Sequence, residues 1–138
     1  MPDEKFNQRT DWLETRSQSW AFNGNSFPSP PTEIEIGLHN DDPTNSGKEN
    51  EVDSIDYERA TIDLSDLHTT GNNPRETVNA TNITFKEAET NWGTITHATI
   101  WHPEEDEPMY WAEINEERII NENEIYEIRE NDLIIRDY

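Results

Sequence analysis

A chain of 138 residues with 31 acidic and 10 basic side chains carries a formal net charge of −21, and a surface of that sign repels phosphate backbones and anionic lipid heads, which excludes nucleic acid and membrane as partners. Cysteine is absent, so neither disulfides nor thiolate metal sites can staple the fold. The length allows one domain with one modest core, no apolar stretch approaches the ~20 residues that span a bilayer, and Met1 to Thr10 lacks an apolar signal-peptide core, so the expectation is a soluble protein made in the cytoplasm of its host cell.

Along the chain, Phe6, Leu13 and Trp20 recur at sevens with Trp12 beside the stripe and Asp3 or Asp11 available as caps. That pattern predicts a short amphipathic helix between Asp3 and Trp20. The run Asn23 to Pro31, with Pro28, Pro30 and Pro31, breaks any helix because proline lacks a donor and restricts the residue before it. Residues 1–31 therefore read as an N-terminal helical or extended arm with a proline-rich linker. Two readings of its aromatic stripe stand: packing on its own domain, or docking on a neighbouring subunit. Because aromatic residues are enriched in interface hot spots, Phe6, Trp12, Leu13 and Trp20 form the candidate subunit interface, and removal of residues 1–27 is expected to leave the remaining domain folded.

From Thr32 the period changes to two. Ile34, Ile36 and Leu38 alternate with Glu33, Glu35 and Gly37, the pattern of a strand with one wet face. Further strands are predicted at Arg59 to Leu64, Ala80 to Phe85, Thr94 to Trp101, Met109 to Ile114, Glu124 to Arg129 and Leu133 to Arg136. Turn signals separate them at Asn40 to Pro43 with Asn45 to Gly47, at Gly71 to Pro74, and at His102 to Pro108. Short strands at such spacing without intervening helices imply an all-β, antiparallel β-sandwich, jelly-roll-like, over residues 32–138. Trp92, Trp101 and Trp111 fall among the strands and are assigned to packing, where a small sandwich poor in Leu and Val needs bulky side chains. Glutamates beside Ile119, Ile120, Ile125 and Ile128 discourage unwanted edge pairing.

Catalytic chemistry finds no foothold. His39, His68, His97 and His102 form no helical metalloprotease pair, and His97 reads as a packed strand histidine; no serine sits in a nucleophile elbow and no Gly-rich phosphate loop is present. The chain is read as a non-enzyme with no cofactor and no metal. Asn40, Asp41, Asp42, Asn45, Asp53 and Asp56 could offer oxygen ligands to a hard cation but lack the register of a calcium loop, and are read as a solvated acidic turn. Asn79-Ala80-Thr81 and Asn82-Ile83-Thr84 match the glycosylation triplet and are read as chance in an Asn- and Thr-rich chain.

Low hydrophobicity with high net charge also marks disorder, but here the aromatic and β-branched residues cluster in alternating runs, as in an ordered domain. Only Lys5, Lys48 and Lys86 are lysines, and so acid-rich a balance is expected of a protein kept soluble in concentrated salt, where the Debye length falls to roughly 3 Å and self-repulsion is screened.

Three segments carry a resemblance: Ile36-Gly37-Leu38-His39-Asn40-Asp41-Asp42-Pro43, then Glu51-Val52 to Tyr57-Glu58-Arg59, then Asn91-Trp92-Gly93-Thr94-Ile95-Thr96-His97-Ala98-Thr99-Ile100-Trp101. In this order they resemble a family of small virion proteins of tailed viruses, labelled head-decoration or tail-fibre-like, over about Thr32 to the C-terminus. The resemblance implies a structural virion protein, and the acid-rich composition adds the expectation of a halophilic host. The favoured placement is a capsid decoration or turret component on the outer head, a homo-oligomer with the major capsid protein as partner. A tail or baseplate position, or a receptor- or glycan-binding module, is the alternative.

Overall fold

The computed structural model describes residues 4–6, 8–71 and 75–137. Asp3, one candidate cap, and Asn72 to Pro74 of the predicted turn that starts at Gly71 lie outside the described residues.

Among the described residues eleven strands and one α-helix follow in chain order: β1 (Glu4–Phe6), β2 (Gln8–Arg9), α1 (Asp11–Asn23), β3 (Glu33–His39), β4 (Ala60–Asp63), β5 (Leu67–Thr70), β6 (Arg75–Asn79), β7 (Ile83–Thr84), β8 (Gly93–His102), β9 (Glu107–Ile120), β10 (Glu127–Ile128) and β11 (Leu133–Asp137). A five-stranded sheet runs β2-β9-β8-β3-β4 and a four-stranded sheet runs β1-β11-β6-β5, with β7 and β10 forming a separate two-stranded ladder. Pairing is antiparallel except for β1 on β11. The fold is an all-β sandwich, as the period-two alternation implies.

One continuous core joins the sheets. Ile34, Ile36 and Leu38 of β3, Ile95, Ala98 and Ile100 of β8, and Ala112 and Ile114 of β9 meet Phe6, Phe85, Tyr126 and Leu133. A register shift between Ile95 and His97 resets the phase of β8, so Ile95 and Ala98 both reach the core despite their odd spacing. All seven strands read from the alternation are present. The four not foreseen are β1, β2, β5 and β6, whose side chains are mostly polar and show no apolar period. On β5 and β6 hydroxyls replace apolar pairs, as where Thr69 and Thr77 bond across the hairpin at 2.8 Å.

The predicted helix between Asp3 and Trp20 is displaced toward the C-terminus, for a local reason. Phe6 lies on a strand and is wholly buried in the core. Thr10, also fully buried, is the N-cap: its backbone N–H donates to the Met109 carbonyl at 3.0 Å and its hydroxyl accepts from the Leu13 N–H at 3.4 Å. Its hydroxyl proton is directed at the carbonyls of Pro108 and Met109. The helix start is thereby fixed to β9. At the other end Gly24 adopts φ 71°, the left-handed conformation that terminates helices, and its N–H returns to the Ser19 carbonyl.

Candidate functional site

Residues from all three of the segments that carry the resemblance come together on the face of the five-stranded sheet opposite the core. Along β3, Ile36 and Leu38 point inward, so Glu35, Gly37 and His39 point outward, level with Trp101, Thr99 and His97 of β8. The chain after β3 turns back and rejoins it: Val52 N–H donates to the Leu38 carbonyl at 2.9 Å and Glu51 bridges to His39. This return brings a carboxylate, a phenol and a guanidinium over the sheet.

Arg59 donates to both oxygens of Glu51, Nε to Oε2 at 2.8 Å and Nη2 to Oε1 at 2.9 Å, and through Nη1 to Glu35 at 3.2 Å. The Tyr57 hydroxyl donates to Glu51 Oε2 at 2.7 Å and accepts the Leu38 N–H at 2.8 Å. The Arg59 guanidinium lies 3.5 Å from the centroid of the Trp101 ring, a cation–π contact. Such closeness requires a residue without Cβ beneath it. At Gly37 an added Cβ would stand 2.7 Å from Thr99 Oγ1, 2.8 Å from Glu51 Oε2 and 3.0 Å from Trp101 Nε1.

The opposite end of the network fixes a histidine tautomer. His39 Nδ1 lies 2.7 Å from the Glu49 carbonyl, which can only accept, so Nδ1 carries the proton. Nε2 then accepts from the Thr99 hydroxyl at 2.9 Å, and that hydroxyl accepts the Trp101 indole N–H at 2.7 Å. The chain of donors runs one way and needs a neutral imidazole. Burial agrees, holding the His39 pKa below 6.5 against the upward pull of the Glu49 carbonyl and Glu51. Burial pushes the Glu51 carboxyl up, but the bonds from Arg59 and Tyr57 outweigh it and leave the group below the ordinary carboxylate range. The Tyr57 phenol is driven upward by burial and by the Glu51 charge.

A second carboxylate ties the returning chain to the loop before β8. Asp56 accepts from the Thr90 hydroxyl, from the Glu89 N–H at 2.6 Å and from the Trp92 indole at 3.2 Å, and these bonds, the Thr90 hydroxyl foremost, hold its pKa at about 2. Tyr57 and Trp92 meet edge to face at 5.3 Å, and the Asn40 amide donates to the carbonyls of Trp92 and Thr94. The acidic cluster is therefore divided. Asp56 and Asn40 are engaged in holding loops, Asp42 caps the Thr44 N–H, and among the described residues no group of three or more His, Cys, Asp or Glu is placed to hold a metal ion.

The buried imidazole sets a pH dependence. Between the lowered folded pKa of His39 and 6.5 the unfolded chain binds a proton that the folded chain does not, so this contribution is complete above 6.5 and is lost as pH falls through that window. Glu51 and Asp56 add a second loss below about pH 4.5, as pH falls toward their depressed folded values. In about 2 M KCl, where self-repulsion is screened, the urea midpoint of the native chain is expected to decline from pH 7 to pH 5. His39→Asn, which keeps a donor toward Glu49 but cannot titrate, should flatten that limb. Parallel curves for the two proteins would refute the assignment of His39.

The family described as "Podophage GP4 fiber I protein gp80" matches residues 8–136. The chain belongs to this family. It is thus a structural protein of tailed viruses. The match takes in α1, the proline linker and the strands from β2 onward, whereas β1 precedes it. No curated protein matches the chain.

The four candidate interface residues of this gp80-family chain are not brought together. Phe6 is buried in the core. Trp12 and Leu13 are half-buried, with Trp12 edge-on to His102 at 6.0 Å between ring centroids. Trp20 remains 60% exposed, with Phe27 packed edge to face against it at 6.4 Å. Two exposed aromatics, Phe22 and Phe27, escaped the sequence reading, although their position in an acid-free stretch was a usable signal. His97 accepts or donates at 2.8 Å to Thr96 and packs beside Trp111 on the sheet. Asn79 of the first glycosylation triplet is wholly buried, donating to the Thr81 and Arg129 carbonyls and accepting the Leu133 N–H, so no glycan can reach it in the folded chain.

Proposed function

We propose that this chain is a non-catalytic building block of a tailed-virus fibre, exposed to a concentrated-salt medium outside the particle. The match to a family of described fibre proteins over residues 8–136 carries the reading. Two features support it. The polar groups gathered on the outer sheet face are engaged with one another, Glu51 with Arg59 and Tyr57, and His39 with Glu49 and Thr99, which suits a rigid structural module better than a reactive centre. The net charge of −21 would repel packaged DNA and favours the exterior.

A decoration or turret protein of the outer head, seated on the major capsid protein, differs from a fibre in stoichiometry. Quantitative mass spectrometry of purified virions is expected to give few copies of this chain for each hundred of the major capsid protein. Abundance within an order of magnitude of the capsid protein would overturn the fibre reading and return the chain to the head surface.

A further inference from the structure

We propose that Trp20, Phe22 and Phe27 form a self-association surface on which a second copy of this chain seats its own Phe22. The three side chains are 60%, 82% and 42% exposed, and with Ala21 and Arg9 they line an open groove of about 610 Å³. Groove and projecting ring belong to the same patch. Two copies related by a two-fold axis can each place Phe22 in the other's groove, the self-complementarity that a symmetric pair requires. The edge-to-face contact of Trp20 with Phe27 braces one wall of the groove, and the Gly24 cap fixes where the helix hands over to the linker.

Charge selects the occupant. Residues 15–31 contain no Asp or Glu, and no other stretch of the chain as long is free of acids. Copies carrying −21 each repel one another over the rest of the surface, so a contact between them is favourable only where the acids are missing. A basic partner would be drawn to the acid-rich faces and not to a patch whose lining holds one charge, the positive Arg9. The other large exposed apolar side chains among the described residues behave differently: Ile55 lies between Asp53 and Asp56, Leu64 between Asp63 and Asp66, Ile119 follows Glu116, Glu117 and Arg118, and Ile125 follows Glu124. Singly exposed residues of that kind are ordinary, whereas an apolar patch lined by several aromatics marks a contact site.

The inference rests on this geometry and not on the fibre assignment, and copy number in the virion does not bear on it. Sedimentation equilibrium of the full chain in about 2 M KCl, where residual repulsion is screened, is the test. Across about 5 to 200 µM, a range that resolves micromolar dissociation constants, the native chain is expected to shift from monomer toward dimer mass. Phe22→Ser and Trp20→Ser should weaken association at least tenfold while leaving the melting temperature unchanged, since neither side chain is buried, and Ile119→Ser should associate like the native chain. A native chain that stays monomeric throughout, or Phe22→Ser associating as strongly as the native chain, overturns the proposal.

Discussion

Arg59→Ala is expected to lower the stability of the sandwich by about 2–3 kcal/mol, above the ~1 kcal/mol of an exposed pair and below the ~3–5 kcal/mol of a fully buried one. The side chains of Arg59 and Glu51 are 22% and 18% exposed, so neither charge is freely solvated. Without the guanidinium, Glu51 keeps only the Tyr57 hydroxyl as a donor, and Trp101 loses the cation over its ring. Against a typical total of roughly 5–15 kcal/mol, such a loss leaves a marginal domain. Urea unfolding at fixed salt is the suitable measurement, because guanidinium chloride would change the screening as it denatures. A cost under about 1 kcal/mol, the range of exposed pairs, would show the network to be solvated and unimportant.

Two further variants separate charge from space. Joint replacement, Glu51→Leu with Arg59→Met, should cost less than Arg59→Ala alone, because the more buried of the two carboxylates leaves with its partner; what remains is the Tyr57 hydroxyl proton without its acceptor and Glu35, which faces more solvent, without its cation. Gly37→Ala keeps every charge yet should be as damaging as Arg59→Ala. Its methyl would lie within 3.0 Å of atoms on Thr99, Glu51 and Trp101; moving Thr99 or Trp101 of β8 opens the chain of bonds from Trp101 to His39, and moving Glu51 opens its bonds to Arg59 and Tyr57.

The part of this arrangement that the sequence disclosed is the part written in periodicity. Ile34, Ile36 and Leu38 announce a strand and its buried face, and by the same alternation Glu35, Gly37 and His39 must share the other face. What the sequence did not disclose is that Glu51, Tyr57 and Arg59 would lie over that face. Their placement depends on a chain reversal after Pro43 whose closure is set by the bond of Val52 to Leu38, and no local pattern encodes a contact so formed. The same limitation explains the N-terminus. A repeat at sevens cannot tell a helical stripe from a strand residue followed by a helix, and Phe6 satisfies the spacing while filling the core as part of β1. Polar strands such as β5 and β6 left no trace because Thr, His and Arg on a hydroxyl-lined sheet carry no apolar alternation. The aromatic patch is half legible: Trp20 stands out as an aromatic at a spacing of seven from Leu13, whereas Phe22 and Phe27 are marked by the absence of acids around them, a signal visible only against the composition of the whole chain.

Salt is expected to change stability more than any substitution on the surface. At −21 the folded chain confines like charges that the unfolded chain spreads apart, and screening weakens this repulsion as the Debye length falls from about 10 Å at 0.1 M to about 3 Å at 1 M. Internal neutralisation cannot replace screening. With 10 basic residues against 31 acids, most carboxylates have no cation to meet, and a pair such as Lys48 with Glu107 is too exposed to contribute much. The Arg59 network is buried enough to survive the added ions, so salt should relieve the surface without dissolving the bonds beneath it. Melting temperature is therefore expected to rise steeply to about 1 M KCl, by about 10 °C or more if several kcal/mol are recovered. Above that range the rise should continue more gently as salting-out strengthens apolar burial. Arg59→Ala should show the same salt slope from a lower starting point, since its defect is local and the repulsion is global. A melting temperature that stays flat between about 0.1 and 2 M would mean that the carboxylates are dispersed too widely to repel, and adaptation to a saline medium would no longer account for the acidity.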